Sequence, residues 1–227
     1  PPGITMSLYF IIFGTLIGKR IGEMEGFPYM EYIAPGLVMM SVITNSYGNV
    51  VGSFFNAKIQ GHIEELLVSP LSEISIVIGY LAGGIIRGLA VATVVTFIAL
   101  FFTQINIKHP LMTLFVIIMT AGVFSLAGLI NAIFAKKFDD IAVIPSFVLA
   151  PLTYLGGVFY TVSLLPEFWQ TLSRFNPILY MINSMRYSVI GISDVSIQNA
   201  LMMIVVFFIL LFAIAVILLK KGIGIRQ

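Results

Sequence analysis

The chain has 227 residues, 59% of them hydrophobic and 10% charged, with a formal net charge of +2. Ordinary soluble domains carry roughly 25% charged residues, so the composition argues against a soluble core, and the small net charge gives no footing for nucleic acid. The absence of cysteine excludes disulfides and thiolate metal sites and leaves the redox compartment open.

Several apolar runs approach or exceed the roughly 20 residues needed to cross about 30 Å of hydrocarbon. The predicted fold is therefore all-α and polytopic, with six transmembrane helices over about 1–18, 32–55, 72–102, 110–134, 141–160 and 200–219. The chain begins at Pro1 rather than methionine, so an upstream portion is expected, and no signal peptide is visible. The first span is short, and Lys19 to Pro28 is a polar, Gly-rich loop. The second span carries Pro35 and a polar patch of Thr44, Asn45, Ser46, Tyr47 and Asn49.

A different pattern follows at KIQGHIEELLVSP, Lys58 to Pro70. Ile59, Ile63, Leu66 and Leu67 recur at helical spacing, whereas Gln60, His62, Glu64 and Glu65 fall elsewhere on the helix. The spacing predicts one amphipathic helix over 58–69, weakened by Gly61 and ended by Pro70. It is too polar to cross a bilayer. Two readings stand: a connector lying on the headgroups, or a knob gripped by a cytosolic partner.

Ser69 or Ser72 suits the N-cap of the third span, with Glu73 in its first turn. Pro110 suits the start of the fourth, and Ala135 to Asp140 is a tight charged turn. The fifth span contains Pro145, Pro151, Gly156 and Gly157, which predicts a kink or a break. Within 161–196, Asn176-Pro177 reads as an N-cap followed by proline at the first helical position. The helices flanking that pair, Pro166 to Phe175 and Ile178 to Ile190, are too short to span and fit two segments dipping into one leaflet. Phe168, Trp169 and Phe175 are expected at the outer interface, where aromatics prefer to lie.

Six spans put both termini on one side. Lys58, Lys136, Lys137, Lys220, Lys221 and Arg226 then fall inside, against Lys19, Arg20, Lys108, Arg174 and Arg186 outside. The bias is small. Lys220-Lys221, directly after the most apolar span, is the cue for a cytosolic C-terminus.

Chemistry-bearing patterns are scarce. Gly18-Lys19-Arg20 lacks the following Ser or Thr of a phosphate loop, so no ATP site and no enzyme activity is expected. His62 and His109 lie in separate loops and make no zinc site. The pairs Gly14/Gly18, Gly48/Gly52, Gly79/Gly83 and Gly84/Gly88 predict close helix packing. Arg87 is the one charge well inside a span, with no carboxylate at its depth. Structural and transport roles both remain open for it, with backbone carbonyls, hydroxyls, a wet cavity, a second subunit, Asp139 or Asp140 as candidate partners.

The segment from Pro151 to Arg186, with Gly156-Gly157, Leu165-Pro166, Asn176-Pro177, Tyr180 and Arg186, resembles the signature region of ABC-2 type transporter permeases. These are the membrane subunits of bacterial ABC exporters. Ile63 to Ser72 is similar to the same family's coupling helix and the start of its third span. The resemblance implies six spans, two re-entrant helices on the outer side, pairing of two permeases, and separate ATP-binding cassette ATPase subunits that carry ATP and Mg. It assigns Ile59, Ile63, Glu64, Glu65, Leu66 and Leu67 to ATPase coupling, and Gly156, Gly157, Pro166, Phe168, Trp169, Asn176, Pro177, Tyr180 and Arg186 to an outer gate. It also implies the bacterial inner membrane and its lipid as the setting; the Gly14/Gly18 pair and Gly156-Gly157 predict a homodimer held by the glycine-rich faces of the first and fifth spans. Family members usually begin with a cytosolic amphipathic helix, which this chain is expected to lack. The rival class, an ATPase-independent secondary transporter or channel, calls for intramembrane acids or internal repeats, and neither is visible. An intramembrane enzyme would need a catalytic cluster.

Overall fold

A computed structural model describes residues 1–224, with all side chains among them except those at 64, 67 and 68. Helix α1 (Pro2–Ile21) is continuous, with its middle, Phe10–Ile17, wound as a π-helix. A small hairpin follows, β1 (Glu23–Met24) antiparallel to β2 (Phe27–Pro28). Glu25 and Gly26 turn it, both at positive φ, the backbone a tight hairpin requires. Then come α2 (Tyr29–Ile59), α3 (His62–Val68), α4 (Glu73–Ala99), α5 (Pro110–Phe134), α6 (Phe138–Leu155), α7 (Glu167–Arg174), α8 (Pro177–Ile190) and α9 (Ile197–Lys221).

Five of these, α1, α4, α5, α6 and α9, are long and apolar enough to cross a membrane. α2 is longer still at 31 residues, but its Thr44 to Asn49 stretch is polar. It is nevertheless the centre of the bundle, packed against α4, α5 and α8. Tyr32, Ile33, Leu37, Met39, Ile43, Tyr47, Phe54 and Phe55 are all fully buried on it.

Small residues set how close its neighbours come. A Cβ on Gly128 of α5 would lie 2.7 Å from the Tyr47 carbonyl oxygen. One on Gly84 of α4 would lie 2.8 Å from Val50 and collide with the Ser125 hydroxyl. Glycine lets these backbones approach without a driving force from water. Asn131 Nδ2 of α5 donates to the Tyr47 hydroxyl at 2.7 Å inside this contact.

Several expectations change. The helix expected over 58–69 is two pieces. α2 runs to Ile59, Gly61 adopts a left-handed turn at φ 80°, and α3 starts at His62. Ile59 therefore belongs to a different helix from Ile63 and Leu66. The fifth span stays helical through both prolines, shifting to a π-helix over Pro145–Leu149, and ends at Leu155 rather than Tyr160. Gly157 there takes φ 78°, which favours termination. Gly14 and Gly18, expected to join two copies, are covered by Met30 and Tyr29 of their own chain, and Gly156 by Ile178 and Ile182. Those glycines serve the monomer. Gly48, Gly52 and Gly79 meet nothing within 4 Å. Arg226 lies outside the described residues.

Other local signals hold in detail. Ser72 Oγ accepts from the Ser75 amide at 3.2 Å and caps α4, and Pro110 opens α5.

Gly128→Leu should lower the thermal unfolding midpoint in detergent, since overpacking costs about 1–3 kcal/mol. Gly48→Ala, placed in open space, should leave the midpoint near that of the parent. Equal midpoints for both variants would mean that the α2–α5 contact does not limit stability.

Candidate functional site

Two ends of the bundle gather the residues singled out by sequence. At one end, the turn after α6 is held against α8. Asn176 caps α8 with its Oδ1, which accepts from the Ile178 amide at 3.0 Å, and its Nδ2 ties that cap to α6 by donating to the Leu152 carbonyl at 2.6 Å. Pro177 occupies the first helical position. Gly156 fits against Ile178 and Ile182 of α8, and Gly157 offers its carbonyl to Arg186 Nη2 at 2.5 Å.

Arg186 is 1% exposed. Its guanidinium lies 4.0 Å from the Tyr32 ring centroid, stacking the charge on α2, and 3.9 Å from Asp194 Oδ2. Its Nε and Nη1 have no hydrogen-bond partner among the described residues. Asp194 also accepts from the Val162 amide at 3.3 Å, and its own amide donates to Asn183 Oδ1 at 2.8 Å. One arginine thus ties α8, the 156–166 turn, the 191–196 loop and α2 together. A planar, permanently charged fork suits that position. Asp194, Asn183 and Tyr32 carry no sequence signal of their own, because their roles arise only from contacts across the bundle.

Outside this lock, α7 presents its apolar side outward. Phe168, Trp169 and Phe175 are exposed, Phe175 at 80%, and the first two rings meet edge to face at 5.4 Å. Pro166 precedes α7 as its N-cap, and the Tyr180 hydroxyl donates to the Arg174 carbonyl at 2.7 Å, fixing α7 against α8. α7 and α8, at 8 and 14 residues, reach only about 12 and 21 Å at 1.5 Å per residue.

At the other end lies the connector. Ile63 is 2% exposed and Leu66 is packed against the core, whereas Ile59 and Glu65 are exposed. Ile63 and Leu66 of α3 thus face the bundle itself, and among the described side chains Ile59, His62 and Glu65 are on the outside. The Glu64 and Leu67 side chains lie outside the described ones. Lys58 Nζ donates to the carbonyls of Ile133 at 2.6 Å and Ala135 at 2.9 Å, so the end of α2 is fastened to the end of α5, where a cation is favoured. Phe138 of α6 meets Phe55 of α2 edge to face at 5.1 Å. Arg87 is at neither end. It is exposed on α4, on the flank of the bundle.

The family profile described as ABC-2 type transporter matches residues 2–190. The chain belongs to the ABC-2 type transporter family. The family match ends with α8, so it includes both the connector and the Arg186 lock. The chain is 54% identical over 227 residues to the inner membrane transport permease YadH of Escherichia coli (strain K12), covering 100% of this chain and 89% of that protein. It is 27% identical over 181 residues to nodulation protein J of Sinorhizobium fredii (strain NBRC 101917 / NGR234), covering 79% and 68%. Nodulation protein J of Rhizobium meliloti (strain 1021) is 23% identical over 185 residues, covering 81% and 71%.

Removing the guanidinium by Arg186→Ala leaves Asp194 without its cation and Gly157 without its donor. Breaking a buried pair in this way costs about 3–5 kcal/mol. Arg186→Lys should recover part of the loss, because it keeps the charge but gives up the planar stack on Tyr32. Thermal unfolding of the detergent-purified protein checks the order parent, Lys, Ala; an alanine variant as stable as the parent would dismiss the lock.

Proposed function

We propose that this chain is the membrane-spanning permease subunit of an ATP-binding cassette exporter, paired with a second copy and driven by separate ATPase subunits. α1, α2, α4, α5, α6 and α9 are its six spans, and α7 and α8 dip into the outer leaflet. The C-terminus is cytosolic, next to Lys220 and Lys221, and the protein sits in a bacterial inner membrane, in keeping with the name of its E. coli relative. ATP and Mg bind in the partner.

The observation that carries this reading is the connector in a chain of the ABC-2 family. A seven-residue helix, α3, hangs between the ends of α2 and α4 and packs its Ile63 and Leu66 against the bundle. Among the described side chains, the exposed isoleucine Ile59 and the polar His62 and Glu65 face a partner. Such polar side chains orient docking more than they add affinity. The left-handed turn at Gly61 and the short link to Ser72 leave little slack, so a shift of α3 moves α2 and α4 together.

Affinity purification in mild detergent should bring down an ATP-binding cassette ATPase; a permease that exports while no ATPase accompanies it would instead favour a secondary transporter. Glu65→Lys, alone and with Glu64→Lys, should leave the unfolding midpoint unchanged and weaken ATPase binding about tenfold, a difference near 1.4 kcal/mol. Unaltered binding would return α3 to the status of a passive surface connector.

A further inference from the structure

α6 differs from the other long helices in how it is wound. Pro145 and Pro151 stand inside it, and the stretch Pro145–Leu149 is a π-helix, in which the Ala150 amide reaches back to the Pro145 carbonyl. Neither proline has an amide hydrogen, so the carbonyls one turn before each lose the donor that an α-helix would supply. Just beyond the π stretch, the Thr153 hydroxyl donates to the Leu149 carbonyl at 2.7 Å, a back-bond of the kind that bends helices. Missing donors, a π-helix and a back-bond thus fall together in the middle of one span, the recognised causes of a helix that bends at a fixed place.

The two halves on either side of that stretch are held unequally by their own chain. The outer half, Ala150–Leu155, is tied by polar contacts. Asn176 Nδ2 holds the Leu152 carbonyl at 2.6 Å, and the Tyr154 and Tyr9 hydroxyls meet at 3.4 Å. The helix then runs straight into Gly156, seated on Ile178 and Ile182 of α8, and Gly157, bonded to Arg186.

The inner half, Phe138–Ile144, buries no side chain. It packs on α5 and touches α2 through the edge contact of Phe138 with Phe55. Its polar contacts turn inward: Asp140 Oδ2 accepts from the Lys136 and Lys137 amides at 2.8 and 2.9 Å. The inner half and the charged turn before it therefore form one small unit, closed on itself rather than bonded to a neighbouring span.

We propose that Pro145–Leu149 is a hinge, about which the inner half of α6 swings away from the inner end of α5 while the outer half stays fixed on α8. The swing breaks the Phe138–Phe55 contact but exposes no buried side chain of α6 itself. It parts α5 from α6 in the inner leaflet and leaves the Arg186 lock closed, so the two ends of the bundle open at different times. A few residues that absorb a backbone change between two rigid pieces are the usual construction of such a joint. This inference goes beyond the exporter reading, and its first measurement needs no ATPase.

The test is pulsed electron paramagnetic resonance on the full-length permease in lipid nanodiscs, with labelled chains diluted by unlabelled ones so that distances are read within one copy. The chain has no native cysteine, so pairs of labels can be placed at will. The inner pair, Val143→Cys with Ile217→Cys, uses two exposed positions and should give two distances. The outer pair, Leu155→Cys with Met202→Cys, should give one narrow distance. Pro145→Ala with Pro151→Ala restores both donors and should lower the minor inner population by at least about tenfold, because each proline strongly disfavours an unbroken helix, while the outer distance stays as it was. A single narrow inner distance in the parent would overturn the hinge, including the case in which a second copy clamps α6. So would an inner distribution indifferent to the two substitutions, or a spread that appears in the outer pair instead. In the complex with an ATPase, a non-hydrolysable ATP analogue should then shift the inner populations. Failure of the exporter reading appears separately, as absence of that ATPase from the purified complex, and leaves the nucleotide-free distances intact.

Discussion

The structure depends on the seating of α2 against α5. Gly128 lets the two backbones close to contact at Tyr47, and the buried Asn131–Tyr47 hydrogen bond joins them there. Inside a membrane the apolar effect does not distinguish one helix partner from another, so close backbone approach and a few interhelical hydrogen bonds decide the arrangement. With that contact in place, α2 becomes a fixed axis. α4 leans on it through Gly84 and Gly88, and α8 closes the other side.

α2 is one helix of 31 residues, with Pro35 inside it near its start, and its two ends are held by different contacts. Near its start, Tyr29 donates to the Phe159 carbonyl at 3.0 Å and Tyr32 stacks on Arg186; both contacts hold the turn after α6. Near its finish, Lys58 holds the end of α5 and Gly61 passes the chain to α3. A displacement of α3 therefore loads the Arg186 lock through some 46 Å of helix, at about 1.5 Å per residue. Under the proposed function this path would link the connector to the 156–166 turn, as coupling between a partner's state and a gate requires. Nε and Nη1 of Arg186 have no hydrogen-bond partner among the described residues, so the lock rests on the Nη2 bond to Gly157, the stack on Tyr32 and the charge of Asp194.

Much of this was legible in the sequence where a local rule decides the outcome. The fourth span was placed at 110–134, and α5 runs Pro110–Phe134, because proline at its start and a charged turn at its end are local signals. Asn176-Pro177 and Ser72 act as caps for the same reason. What eluded the sequence is set by contacts distant in the chain. Helical spacing made Ile59 and Ile63 one stripe, but the left-handed conformation of Gly61 separates them, and the buried side of α3 then faces its own spans. The pattern places Arg87 well inside a span, as it is; that its side chain is exposed follows from how Gly84 and Gly88 seat α4. Small residues alone did not reveal which pairs pack within the chain, as Gly14 and Gly18 do, and which stay open, as Gly48 and Gly52 do.

The claim that α2 carries motion from the connector to the outer lock is tested most directly by hydrogen exchange on the permease–ATPase complex, with and without a non-hydrolysable ATP analogue. Nucleotide binding should change exchange in both α3 and the 156–166 turn, with the second change lost in Lys58→Ala, where the end of α2 is no longer fastened. Exchange that alters in α3 while the 156–166 turn stays constant would contradict the account.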